Sequence, residues 1–298
     1  MLSICIPIYN TSVVLLVTEL YKQCEAESID FEIICIDDAS YTFCKEENKT
    51  IQHFPFLKYT ELTKNVGRSA IRNLLAEAAQ YEYLLFLDGD VSVPDSSFIK
   101  KYIAAIHAGS VVAEGGRIYK RITFQADTNL HFHYGCKREV IPTTQKKLNP
   151  YRSFVTGNFL IQKKIFDRIK FDSSLKEYGH EDTLFGLELK KNNVPIVYID
   201  NPVVHVGLEK NNVFIQKQFT AVKNLSMLIL QGYEVDNITL YRFYLILKKY
   251  YFLGFFIFGF GLIQPIVRKF LESGWTTWLV LFDALRLYEL ARYLKKSK

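Results

Sequence analysis

The chain has 298 residues, 49% of them hydrophobic and 23% charged, a formal net charge of +6 and five cysteines. That size and apolar fraction support one large domain, or a domain with an appendage, and exclude a wholly disordered chain. Cys5, Cys24, Cys35, Cys44 and Cys136 form no CxxC pair, and their odd number fits a reduced, cytoplasmic chain better than a disulfide framework.

The chain opens into the apolar run Leu2 to Ile8, which reads as a buried strand, so no signal peptide is expected before it. Helical spacing follows over residues 12–26. A second apolar run, residues 31–36, ends in Asp37-Asp38-Ala39-Ser40, and residues 56–62 read as a third strand. Residues 66–80 are expected to be helical, with Ala70, Leu74, Leu75 and Ala78 along one side. The fourth strand, Tyr83 to Leu87, ends in Asp88-Gly89-Asp90. A helix over 96–107 and a strand over 110–118 come next, then a polar, irregular stretch over 123–152. In that stretch His131 and His133 lie two apart with no third ligand nearby, which reads as a strand face or loop and not as a metal site. Lys137-Arg138 and Lys146-Lys147 read as solvated, with acceptor-phosphate contact as the other option. Continuous hydrophobic strands joined by helices predict an α/β fold around a mostly parallel sheet covered on both faces.

Beyond residue 210 the pattern turns helical, so residues 1–210 are taken as one domain and 211–298 as a C-terminal helical region. From Arg242 onward ten basic residues face three acidic ones, a balance of +7 that leaves −1 for the first 241 residues. A basic pole interleaved with Trp, Phe and Leu points to anionic lipid; no nucleic-acid recognition module is present, so no nucleic-acid partner is expected. Residues 250–267 are uncharged and bracketed by Lys248-Lys249 and Arg268-Lys269. As a helix they reach about 27 Å, short of a hydrocarbon core of about 30 Å. Pro265 and three glycines weaken a straight helix, and a single span would place the basic terminus against the positive-inside tendency. A re-entrant or in-plane segment fits better. Trp275, Trp278, Leu279, Phe282 and Leu285 share one face and Asp283, Arg286, Glu289 and Arg292 another, as in a helix lying among headgroups. Packing of both pieces on the rest of the fold or on a second subunit, as in a homo-oligomer, stays open.

The polar residues sit where a sheet presents them. In open α/β sheets, ligands bind outside the carboxyl ends of the strands. Here those ends carry Pro7-Ile8-Tyr9-Asn10, Asp37-Asp38 and Asp88-Gly89-Asp90. Asp-Gly also marks ordinary turns, but two acid pairs at strand ends in one half-chain are harder to dismiss.

These motifs, with Asn65-Val66-Gly67-Arg68-Ser69-Ala70-Ile71-Arg72-Asn73, Thr156-Gly157-Asn158-Phe159, Gly179-His180-Glu181-Asp182 and His205, resemble those of glycosyltransferase family 2, over about the first 210 residues. The resemblance implies a GT-A fold and an inverting transfer from a nucleotide-sugar donor, most simply a UDP-sugar. The acceptor would be a hydroxyl of a glycan or lipid-linked molecule, in surface polysaccharide or glycoconjugate synthesis of the bacterial type. It implies that Pro7, Tyr9, Asn10, Asp38, Gly67, Arg68 and Asp88 line the donor nucleotide. Asp90 and His205 would hold a divalent cation, Mn²⁺ or Mg²⁺, Asp182 would be the general base, and Glu181 and Asn158 would meet the acceptor. Hard carboxylate oxygens suit such a cation, which stabilises charge on the leaving diphosphate. His180 stands where many relatives carry a second glycine, which narrows the freedom of that loop. Arg72 and Asn73 read equally as ligand contacts or as hydrogen bonding beneath the loop. Together these place the protein at the cytoplasmic face of the cell membrane. Two alternatives remain: a sugar-nucleotide pyrophosphorylase, which needs a glycine-rich basic loop where Pro7-Ile8-Tyr9-Asn10-Thr11 stands, and a non-catalytic scaffold subunit.

Overall fold

The computed structural model describes all residues except 122, 176, 297 and 298; Lys298, counted above in the basic tail, therefore lies outside the described residues. Two compact units emerge. The first comprises Met1–Lys120, Arg138–Lys176 and Glu181–Gly207, and the second Arg121–Lys137, Glu177–His180 and Leu208–Lys298.

In chain order the elements are β1 (Leu2–Ile8), α1 (Val14–Ala26), β2 (Phe31–Asp37), α2 (Thr42–Lys49), β3 (Leu57–Glu61), α3 (Arg68–Ala78), β4 (Tyr83–Leu87), β5 (Val91–Ser92), α4 (Phe98–His107), β6 (Val112–Glu114) and β7 (Arg117–Tyr119). Then come α5 (Asn129–Tyr134), α6 (Thr143–Lys146), β8 (Asn158–Gln162), α7 (Lys163–Ile169), α8 (Glu181–Lys191), β9 (Ile196–Tyr198) and β10 (Val203–His205). Four long helices close the chain: α9 (Asn211–Leu230), α10 (Thr239–Lys249), α11 (Leu253–Glu272) and α12 (Leu279–Lys296).

The first unit is a seven-stranded sheet in the order β3-β2-β1-β4-β8-β6-β9. β1 runs parallel to β2 and β4, and β8 is antiparallel to β4 and β6. Alternation along each strand sorts side chains into two cores. Ile4, Ile6 and Ile8 of β1 pack toward Leu16, Leu20 and Tyr102, whereas Cys5 packs on the other face with Ile71, Leu75, Phe86 and Phe166. Burial on both faces is why these strands read as unbroken apolar runs. The cysteines are all free, and Cys5, Cys24 and Cys35 are buried.

Five expectations are corrected, the fifth in the helical unit below. The strand foreseen over 110–118 is two strands in different sheets: β6 joins the large sheet and β7 a three-stranded corner, β5-β10-β7. The break falls at Gly115-Gly116, where a side chain on Gly115 would lie 2.5 Å from the Asn201 carbonyl and Gly116 takes φ +84°. The helix foreseen over 66–80 is shorter, and its buried face is Ile71, Arg72, Leu75 and Ala76, with Leu74 turned to solvent. Lys146 is not solvated. It is buried, with its Nζ 2.9 and 2.6 Å from the two carboxylate oxygens of Glu114, an acid with no exposure of its own. Burial pushes the Glu114 carboxyl up, and Lys146 opposes that rise. His131 lies on a helix, not on a strand or loop; its ring stacks on Phe214 at 4.4 Å and its Nδ1 accepts the Glu209 N–H.

The second unit is helical. Phe214, Ile215, Phe260, Val267, Leu271, Phe282 and Leu285 form its core with Leu130. This corrects the headgroup-lying helix foreseen from Trp275 onward: Phe282 and Leu285 of α12 are fully buried in this core. Trp275 and Trp278, which precede α12, are 80% and 68% exposed. Among the described residues, α11 is the one helix long and apolar enough to cross a membrane by length and composition, and little of it is buried.

Candidate active site

The turns after β1 and β2 are laced together. Asp37 Oδ1 accepts the Ser40 N–H at 2.7 Å, Ser40 Oγ accepts the Asn10 N–H at 2.8 Å, and Asn10 Oδ1 accepts the Tyr41 N–H at 2.8 Å. Asn10 and Ala39 adopt φ of +53° and +61°, the left-handed conformation that such tight turns use. Pro7 is half-buried, and the neighbouring Tyr9 stands 56% exposed. Asp38 accepts the backbone N–H groups of Val66 and Gly67 at 2.6 and 3.0 Å. Burial pushes its carboxyl up while those two donors pull it down. Asp38 thus shapes the turn that opens α3 at Arg68.

One turn further into α3, Arg72 is buried and its Nη2 lies 2.6 Å from Asp88 Oδ1. A second guanidinium, Arg117 at the start of β7, reaches the same place. A side chain on Gly157 would come within 2.6 Å of Asp88 Oδ2 and 2.8 Å of Arg117 Nη2, so only glycine allows this approach. Arg117 also pairs with Glu139 at 3.4 Å. Burial alone would lower its ionisation, but Glu139, Asp88, Tyr119 and Asp182 hold it charged.

Strand register brings Asp90 and His205 together. β10 pairs antiparallel with β5, setting His205 opposite Val91, and the Val206 N–H donates to the Asp90 carbonyl at 2.9 Å. The His205 Nδ1 then lies 3.5 Å from Asp90 Oδ1. His205 is a buried strand residue between valines, as its neighbours suggested, and it also faces an acid. Burial works against ionisation of Asp90, but His205, with Arg68 and Arg117, outweighs it and holds the carboxyl below its usual range.

At the start of α8, Glu181 is buried and pairs with Arg68 at 3.4 Å, while Asp182 accepts a hydrogen bond from the Thr156 hydroxyl. Burial and the Glu181 charge push the Asp182 carboxyl up to about 6, against the pull of Thr156, Arg117 and Arg72. His180, just before, takes φ +73°, a conformation that glycine reaches without strain. Asn158 is different. It is fully buried, its amide donating to the Gly116 and Asn201 carbonyls and accepting from the Tyr102 hydroxyl. Those bonds tie β8 to the Gly115-Gly116 break and leave no group turned toward an acceptor.

Asp88, Asp90, Asp182, Glu181 and His205 are therefore linked through Arg68, Arg72 and Arg117. Asp38 and Gly67 join them through the turn into α3. Arg117 had no trace in the sequence beyond the adjoining Gly116, and Thr156 stood in its motif with nothing to mark it as the partner of Asp182. Asn73 is structural, its amide bridging to the Phe171 backbone at 2.9 Å in both directions. Such a cluster can grip a diphosphate through its guanidiniums and offer a weakly acidic carboxyl as base. Among the described residues no three His, Cys, Asp or Glu side chains gather closely enough to hold a metal unaided. Asp90 and His205 nevertheless fit Mg²⁺ or Mn²⁺ as one carboxylate and one imidazole, an ion that typically takes its remaining ligands from substrate phosphates and water.

A family model described as glycosyl transferase family 2 matches residues 3–171, more than half of the chain, and stops short of Glu181 and His205. Chondroitin synthase of Escherichia coli is 28% identical over 63% of this chain and 32% of its own length, so the chain spans about a third of that relative. Among solved structures, S. aureus TarS 1–349 in complex with UDP-GlcNAc superposes with a TM-score of 0.53 at 14% identity, covering 100% of this chain and 92% of that one. The mannosyltransferase PcManGT of Pyrobaculum calidifontis, in complex with GDP-Man and Mn²⁺, gives 0.55 at 11% identity over 99% and 74%. At these identities the likeness shows the fold, GT-A, and the chain adds a C-terminal helical region.

Proposed function

The chain belongs to glycosyl transferase family 2, and from that premise we propose that it is an inverting glycosyltransferase using a nucleotide-sugar donor, UDP-linked, and a hydroxyl of a glycan or lipid-linked acceptor. The TarS complex with UDP-GlcNAc and the chondroitin synthase likeness favour a UDP-sugar and a polysaccharide or glycoconjugate product. The observation that carries the reading is the position of Asp182, a carboxyl raised to about 6, in the same charge network as Arg72–Asp88, Arg117 and Asp90–His205. A raised carboxyl is a better proton acceptor that is still ionised at neutral pH.

In this reading Tyr9, Pro7 and Asn10 border the nucleotide, with Asp38 and Gly67 shaping the turn that offers Arg68 to the phosphates. Asp88, gripped by Arg72, orients the donor's ribose side. Asp90 and His205 hold the divalent cation, Mn²⁺ or Mg²⁺, which when bound offsets the charge growing on the leaving diphosphate. Asp182 takes the proton of the acceptor hydroxyl, whose oxygen attacks the anomeric carbon opposite the nucleotide, and Glu181 braces Arg68. Residues 1–210 would form the catalytic domain and 211–298 would bring it to the cytoplasmic face of a membrane. Asp182→Asn tests the assignment. Transfer from UDP-GlcNAc should fall by about 10²- to 10⁴-fold while UDP binding stays within about twofold. Undiminished turnover would refute the role.

A further inference from the structure

Helix α11 has two unlike faces. Phe256, Phe260, Val267 and Leu271 turn inward to the core around Phe214, Phe282 and Leu285. Phe255, Phe258, Leu262, Ile266 and Phe270 point to solvent, 52% to 78% exposed. Their spacing, i, i+3, i+7, i+11 and i+15, makes a continuous stripe along the helix. Large exposed apolar patches on a folded body mark an interaction site.

The surroundings specify the partner. Arg242, Lys248 and Lys249 on α10 and Lys269 at the far end of α11 make no ion pair among the described residues. The acids of this segment, by contrast, are each engaged: Glu272 with Arg268, Asp283 with Arg286, Glu289 with Arg292. Tyr250, Tyr251, Trp275 and Trp278, which flank the stripe in sequence, are exposed amphipathic rings of the type that settles at headgroup depth. A protein partner would need no such ring of unpaired cations and interfacial aromatics; an anionic bilayer surface uses both. Crossing the bilayer is disfavoured because α12, which packs on α11, would have to carry Asp283, Arg286, Glu289 and Arg292 into hydrocarbon.

Extending the membrane placement proposed above, we infer that α11 lies in the plane of an anionic lipid surface, inserting the Phe255–Phe258–Leu262–Ile266–Phe270 stripe from one side only. The chain's two tryptophans, Trp275 and Trp278, are both exposed in this region, so selectively excited tryptophan fluorescence reports on it alone. The full chain is mixed with vesicles of phosphatidylcholine alone or with added phosphatidylglycerol. The inference expects flotation and a blue shift on the anionic vesicles, with lipids brominated near the headgroup quenching more than lipids brominated deep in the chain. The triple variant Phe255→Ser/Phe258→Ser/Ile266→Ser should lose at least about tenfold in partition. Lys248→Gln/Lys249→Gln should lose about fivefold per lysine on anionic vesicles and little on neutral ones. Both variants should bind UDP–Mn²⁺ as the parent does, which shows that they fold. Unshifted emission, stronger deep quenching, or a triple variant that floats like the parent would overturn the inference. So would oligomers that dissociate in the triple variant, since the stripe would then bury against a second copy. Loss of UDP binding in the parent, with flotation intact, would strike the transferase reading and leave this one standing.

Discussion

The two units use apolar residues in opposite ways. In the α/β unit, Ile4, Ile6, Ile8, Leu85 and Leu87 have no exposure, and what reaches the strand ends is charge. In the helical unit, Phe282, Leu285 and Leu271 are equally buried, yet Phe255, Phe258 and Ile266 stand outside on a neighbouring surface. The first unit buries its strand side chains and carries a polar site. The second leaves an apolar face of α11 uncovered among the described residues. A hydrophobic residue in the first unit is therefore evidence about folding, while one in the second can be evidence about binding.

Substitutions sharpen this contrast. The largest effect is expected at the charge cluster: Asp90→Ala should lower metal-stimulated transfer by about 10²- to 10³-fold. Donor binding in that variant should no longer respond to Mn²⁺, as titration calorimetry would show. Undiminished transfer in excess chelator would remove the cation from the scheme. Inside either unit the cost is one of stability. Lys146→Met should destabilise the first unit by about 3–5 kcal/mol by stranding buried Glu114, and Phe282→Ala the second by about 3–5 kcal/mol through the cavity it leaves. Both appear as a lower urea midpoint. Next comes acidity. As the proposed base, Asp182 would act only when ionised and its carboxyl is raised to about 6, so kcat/KM should be level above that pH and fall about tenfold per unit below it. A profile that breaks near 4 would mean that burial does not govern this group. The smallest effect is the most pointed: Phe258→Ser, on the outer face of α11, should change stability by no more than about 0.5 kcal/mol. A loss as large as that of Phe282→Ala would place Phe258 in a core and end the comparison between units.

The sheet and its acid-bearing ends were legible because they rest on local signals. Strands buried on both faces are largely apolar runs, and Asp37-Asp38 and Asp88-Gly89-Asp90 stand at the ends of β2 and β4. What could not be read depends on partners distant in sequence. Glu114 finds Lys146 across 32 residues, and Arg117 meets Asp88 only because the chain changes sheets at Gly115-Gly116. Apolar periodicity likewise predicted that α12 has a greasy side but not what covers it. Burial of Phe282 and Leu285 needed α9 and α11 to be in place. Asn158 misled for the converse reason: a polar residue beside Gly157 resembles a binding group until its three interior bonds are counted.

The three-residue strand β10 has a consequence for how this chain can vary. His205 faces Asp90 only in the pairing that sets Val91 opposite it, and Tyr119 opposite on the other side. Because successive side chains alternate between faces, inserting or deleting one residue in the turn at 199–202 would swing a valine into the position beside Asp90. Length changes that the surface loops of this fold would absorb are thus disfavoured there, and a variant with an indel in that turn should lose the Asp90–His205 pair proposed to hold the cation.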